Sequence, residues 1–140
     1  MKIRSKDYVN EPRKEFIKNL TILFASYEID QVKHYFTEDI IWHLVGDIPI
    51  KGKENFTSQL NEMRSNRAVQ LTIHQIITDG NNAAIHGEMK MANNNQFGFS
   101  DFYVFSETSS QLVKSITSYV VNIPDSKSTM DSTYSSQPNE

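Results

Sequence analysis

After Arg67 the chain changes period. Val69, Leu71, Ile73 and Ile77 alternate with Gln70, Thr72, His74 and Thr78, the period-two pattern of a strand that buries one face and wets the other. The turn-forming run "DGNN" follows, and Ile85, Met89 and Met91 then alternate with His86, Glu88 and Lys90. With the loop centred on Asn81, apolar positions face apolar positions across the hairpin and His74 lands opposite Glu88. Two more turns, "ANNNQ" and "ETSSQ", separate a strand over residues 97–106 from one over residues 112–121. Four consecutive antiparallel strands make a curved sheet with one apolar face, and that face needs a cover.

The first half of the chain supplies the cover. Phe16, Ile17, Leu20, Leu23, Phe24 and Tyr27 recur at spacings of three and four, marking the buried stripe of a helix over residues 11–27 opened by Pro12. Asp30 as N-cap ahead of Val32, Tyr35 and Phe36 predicts a short second helix, followed by a turn through "TED". Residues 40–45 read as a strand that ends in the loop of Gly46, Pro49 and Gly52. A third helix over 53–64 puts Phe56, Leu60 and Met63 on one side. The expected fold class is therefore α+β, a curved mixed or antiparallel sheet wrapped on three N-terminal helices. The expected organisation is an extension at 1–10, a domain at 11–121 and a polar tail at 122–140 rich in Ser, Thr, Asp and Pro.

Composition excludes several functions. The 140 residues suit one core, and 14 basic against 17 acidic residues leave a net charge of -3 and no basic face to neutralise phosphates, so no nucleic-acid partner is expected. The chain has no cysteine, which removes disulfides, thiolate nucleophiles and thiolate metal sites. No segment approaches 18 consecutive apolar residues and no apolar run follows the first charges, so neither membrane insertion nor export is expected and a cytoplasmic location is. A phosphate loop, a dinucleotide glycine pattern and a serine elbow are all missing. No cofactor is expected.

The order of elements, the "WHLVG" followed by Gly52 in "IKGKENF", and the strand "SDFYVF" together resemble the nuclear transport factor 2-like superfamily, most of all its SnoaL-like polyketide cyclase and ketosteroid isomerase branch. The likeness covers about residues 11 to 121. It implies a cone-shaped fold whose helices close the concave side of the sheet over an apolar cavity, while the convex side pairs two subunits into a homodimer. In ketosteroid isomerases the general-base aspartate precedes a glycine by three residues on the first strand; the matching residue here is His43, three before Gly46. A second aspartate, kept protonated to donate to an oxyanion, matches Asp101 in "SDFYVF". The tyrosine that shares that work sits on the first helix, where this chain has Leu20. The sequence thus departs from the isomerase pattern at two of three positions.

Two residues are the candidate catalytic pair. Asp101 alternates with Phe99, Tyr103 and Phe105, so it faces the cavity if they do. A carboxyl among aromatic rings has a raised pKa and can donate a hydrogen bond when neutral or exchange a proton near neutrality. The competing reading is an ionised carboxylate satisfied by backbone or side-chain donors. His43, by alternation, shares the apolar face with Ile41 and Val45 while Trp42 points away. As a neutral imidazole it can take a proton from carbon beside a carbonyl or orient a water; alternatively it is a core histidine bonded to a carboxylate or carbonyl, and pairing with Asp101 would satisfy both groups. Tyr27, Ile41, Ile85, Met89, Phe99, Tyr103 and Tyr119 are the candidate ligand-binding wall.

His74, His86 and Glu88 fall on the polar convex side, where a His74–Glu88 pair fits better than a metal. Trp42, Phe102 and Val104, with Ile116 and Val120, are the apolar residues expected at a dimer contact. The function expected from these readings is a cofactor-free isomerase, lyase or cyclase acting on a small hydrophobic carbonyl compound. The alternatives are a non-catalytic small-molecule binder and a dimerisation module.

Overall fold

The computed structural model describes residues 1–6, 11–64, 67–108 and 110–124. Its elements run β1 (Lys2–Ser5), α1 (Pro12–Ala25), α2 (Ile29–Val32) continued by a 3-10 turn (Lys33–Tyr35), β2 (Phe36–Leu44), β3 (Ile50–Lys51), α3 (Lys53–Glu62), β4 (Ala68–Asp79), β5 (Asn82–Met91), β6 (Gln96–Phe105) and β7 (Val113–Ile123). All seven strands share one sheet in the order β1-β4-β5-β6-β7-β2-β3. Strands β4 to β7 form the antiparallel meander that the alternation predicts. The early strand β2 returns to its far side and pairs in parallel with β7.

The helices bury the stripe expected of them. Ile17 and Leu20 of α1 and Phe56 and Leu60 of α3 lie in one core with Leu71, Ile73 and Ile76 of β4 and with Tyr103 and Phe105 of β6. Phe56 is the hub of an aromatic stack, its ring 4.7 Å from Phe36 and 4.8 Å from Trp42. Helix α3 starts at Gly52, whose φ of 95° is open to glycine and strained for other residues. The expected α+β cone, three helices under a curled mixed sheet, is what the chain forms.

Three local features differ from the sequence reading. "TED" is not a turn but part of β2, where the pairing with β7 shifts register between Phe36 and Ile41. Phe36 and Ile40 are both buried, on the face that residues four apart share in an alternating strand. Residues 2–5, expected in an extension outside the domain, form an edge strand parallel to β4, locked by Lys6 N–H donating to the Ile73 carbonyl at 2.8 Å. Strand β7 runs to Ile123, two residues into the expected tail; the rest of the tail from residue 125 onward lies outside the described residues.

The burial of Ile40 also sets the parity of the rest of β2. Residues 40, 42 and 44 face the helices, and Ile41 and His43 face outward, Ile41 opposite Ser115 and His43 opposite Thr117 in β7. The alternation anchored on Ile41 and Val45 is thus inverted, because Trp42 and Leu44 offer more apolar area to the core. The same register turns Ile116 and Val120 inward beside Tyr103 and Phe99. The convex face keeps Phe102 and Val104 and gains Tyr119, whose ring meets Phe102 edge-on at 6.1 Å.

Candidate functional site

A cavity of about 170 Å³ lies between the concave face of the sheet and helices α1 and α3. An engineered apolar cavity of about 150 Å³ holds a benzene ring, so this one has room for about one ring and a head group. Phe24 and Tyr27 come from α1 and the segment after it, Phe56 and Met63 from α3 and its end, Trp42 from β2 and Phe99 from β6. Half-exposed Val120 stands at the rim. Tyr27 follows α1 in the left-handed conformation at φ 54°. There its N–H bonds Phe24 O and the Glu28 N–H bonds Leu23 O, a helix stop that glycine normally makes. A non-glycine residue here costs about 1 kcal/mol, and this one places a phenol on the cavity wall.

The polar groups are few and linked. Asp101 sits directly across from Ser118 in the β6–β7 register, and the Ser118 hydroxyl hydrogen-bonds its carboxylate. Trp42 Nε1 donates to Ser118 Oγ at 3.1 Å. An indole N–H can only donate, so Ser118 accepts from Trp42 and spends its own hydrogen on Asp101. On the other side of Asp101, Tyr103 is hydrogen-bonded to Thr21, and Thr21 Oγ1 donates to Ile17 O at 2.8 Å. Thr21 thus ties the Tyr103 phenol to the backbone of α1.

Burial pushes the Asp101 carboxyl up to about 6, against the opposing pull of Ser118. Burial also lifts the Tyr103 phenol well above its ordinary range, the negative charge of Asp101 lifts it further, and Thr21 opposes both. Desolvation raises Tyr27 as well. No lysine, arginine or histidine stands among the described residues of the wall, so no cation offsets Asp101. Among the described residues no group of three His, Cys, Asp or Glu side chains is arranged to hold a metal.

The model of the SnoaL-like domain matches residues 18–111. The chain belongs to the SnoaL-like domain family. Solved structures agree on the fold: a candidate SnoaL-like polyketide cyclase from Shewanella denitrificans superposes with a TM-score of 0.67 at 10% identity over 91% of this chain and 100% of that one. An NTF2-like protein of unknown function from Cytophaga hutchinsonii gives 0.61 at 23% identity over 76% and 97%. A candidate ketosteroid isomerase from Kribbella flavida gives 0.64 at 16% identity over 79% and 78%. No curated protein matches the sequence.

In this SnoaL-like domain the cavity gathers Asp101, Tyr27, Met89, Phe99 and Tyr103 from the residues singled out in the sequence. It does not gather the others. His43 lies on the convex face, apart from Asp101, so the expected His43–Asp101 pair is corrected; the parity set by Ile40 places Trp42 there instead. Ile41 is 40% exposed on the same outer face, and Tyr119 is 47% exposed beside Phe102. Ile85 faces inward but is packed in the core, opposite Asp101 in β5. His74 and Glu88 do pair on the convex side, Nε2 to Oε2 at 2.9 Å.

Ser118 and Thr21 were not singled out from the sequence, and Trp42, expected at the dimer contact, lines the cavity instead. Thr21 carried a signal, a polar residue within the apolar stripe between Ile17 and Phe24. Ser118 carried one too, an inward position between Ile116 and Val120, which shows once β7 is set in register against Asp101.

Proposed function

We propose that this SnoaL-like domain is a small-molecule-binding module whose cavity takes an apolar ligand of about one ring, held by a single polar anchor, Asp101. The observation that carries this reading is the disposition of hydrogens in the cavity. Around Asp101 the donors of Trp42, Ser118 and Thr21 are each committed to another protein group, so none of the three is free for a developing oxyanion beside Asp101. With His43 on the far face, the two-residue acid–base scheme for a carbonyl compound loses its base. The volume suits one ring rather than a fused polycycle.

A second reading, proton-transfer catalysis of the isomerase, lyase or cyclase kind, draws on two observations. The Asp101 carboxyl at about 6 can accept and return a proton near neutral pH, and the phenol of Tyr27 is a wall donor with no hydrogen-bond partner among the described residues. A homodimer through the convex face and a cytoplasmic location complete the proposal.

Trp42 is the sole tryptophan and lines the cavity, so its fluorescence reports occupancy. Titration with toluene and other one-ring compounds is expected to change the emission saturably, and recovery of every ligand unchanged supports the binding module. An Asp101-dependent product from a one-ring enone replaces it with the catalytic reading. Absence of saturable binding by any one-ring compound overturns both.

A further inference from the structure

We infer that the ligand head group is a protonated amine, so that the cavity recognises a one-ring or short-chain alkylammonium compound. This rests on the binding reading above and names its ligand class. Asp101 is the acidic side chain on a wall that holds no lysine, arginine or histidine among its described residues. The fold has already removed most water from its carboxylate, so an incoming cation loses its own hydration without adding the cost of stripping the partner.

The hydrogen bonds around the carboxylate point the same way. The Ser118 hydroxyl occupies one side of Asp101, held in that orientation by Trp42. What Asp101 presents to the cavity is therefore lone pairs, on the carboxylate sites that Ser118 leaves open. A carbonyl ligand brings only more lone pairs, whereas an ammonium brings three hydrogens and a charge.

The walls fit that cation as well. Phe24, Tyr27, Trp42, Phe56, Phe99 and Tyr103 all contribute to the lining. Aromatic faces attract a cation, most strongly where water is excluded. Neither feature alone selects an amine, since aromatic walls also hold neutral rings. One carboxylate without a cationic partner, on a wall with six aromatic residues, does.

The test uses the full chain and four probes that share a ring: toluene, benzyl alcohol, benzaldehyde and benzylamine. Affinities come from Trp42 fluorescence and calorimetry. At pH 7.5 benzylamine is expected to bind at least about tenfold more tightly than benzyl alcohol, with benzaldehyde weaker still. Asp101→Asn is expected to erase that preference, with a cooperative urea transition showing that the variant is folded. A preference that survives in Asp101→Asn, or benzyl alcohol or benzaldehyde binding as tightly as benzylamine, overturns the inference.

A second arm needs no variant. In the wild-type protein the benzylamine preference is expected to shrink as pH falls through about 6 and Asp101 takes up a proton, with toluene unaffected. The other titratable groups on the wall are the phenols of Tyr27 and Tyr103, both raised above their ordinary range, so neither changes charge in that interval. A preference constant from pH 7.5 to 5 overturns the inference. Toluene separates the two levels of the argument: if it binds and benzylamine gains nothing, the amine fails alone, and if toluene also fails, the binding reading fails with it.

Discussion

Trp42 Nε1 donates to Ser118 Oγ at 3.1 Å, and that bond decides the direction of the next one. A serine oxygen that accepts from an indole keeps its own hydrogen for Asp101, so a residue on β2 orients a carboxyl on β6 through β7. The linkage gives each of the three residues a distinct experimental signature.

Asp101 is held at a cost that depends on pH. Its folded pKa of about 6 lies above the ordinary 3.8, so the folded state binds the proton more tightly than the unfolded chain. Stability from this group is complete below about 4 and is lost as pH rises through 6. Asp101→Asn cannot ionise. It is expected to match the wild type near pH 4 and to exceed it by about 2 to 3 kcal/mol above pH 7. Urea denaturation at both pH values checks this, and equal stabilities at pH 7.5 would refute it. A residue that destabilises the fold at neutral pH fits a role in binding rather than in folding.

Ser118→Ala removes the hydrogen bond that restrains the carboxyl. The Asp101 pKa is expected to rise above about 6, followed by the side-chain carboxyl signal in an NMR pH titration. The indole N–H of Trp42 loses its acceptor at the same time, for a destabilisation of about 1 kcal/mol, and its proton resonance moves. Ser118→Thr keeps a hydroxyl and restores both values. An Asp101 titration unchanged in Ser118→Ala would break the proposed chain of bonds.

The architecture was legible in the sequence because it rests on periods. Alternation gave β4 to β7, spacings of three and four gave α1 and α3, and "SDFYVF" placed Asp101 on the inner face together with Phe99 and Tyr103. Parity in β2 was harder to read. Residues 40 to 45 are apolar on both sides, with Ile40, Trp42 and Leu44 competing against Ile41 and Val45, and in such a stretch the pattern does not choose a face. The choice comes from packing against the helices, where Ile40 is buried and Trp42 stacks on Phe56, a tertiary feature. His43 and Ile41 were placed inward for that reason. Ser118 was passed over because its partner lies on another strand, so only the cross-strand register reveals it.

Gly87 has backbone of the neighbouring strand where a side chain would stand. A Cβ built there would lie 2.0 Å from the Thr72 carbonyl oxygen and 3.1 Å from Phe99 Cζ. The first contact is with backbone, which cannot swing away as a side chain can. Gly87→Ala must therefore force β4 from β5 beside the irregular pairing between Ile73 and Gln75. A loss of about 3 kcal/mol or more is expected, with weakened toluene binding because Phe99 lines the cavity. A denaturant midpoint within error of the wild type would show that the sheet yields more easily than its geometry indicates.

The convex face gives the last prediction. Phe102 is 49% exposed and Val121 65%, with half-exposed Tyr119 between them in space, its ring 6.1 Å from Phe102. Ile41 lies on the same side of the sheet in β2. An exposed apolar cluster on a β-sheet is the kind that a second copy covers, and a self-complementary contact needs only one such face. The wild type is expected to sediment as a dimer whose proportion falls on dilution. Phe102→Glu buries a charge at the centre of that contact and is expected to yield a monomer. Because Phe102 points away from the cavity, the variant should bind toluene with unchanged affinity, which separates loss of pairing from loss of fold. A wild type that sediments as a monomer at every concentration would assign this apolar face to some other contact.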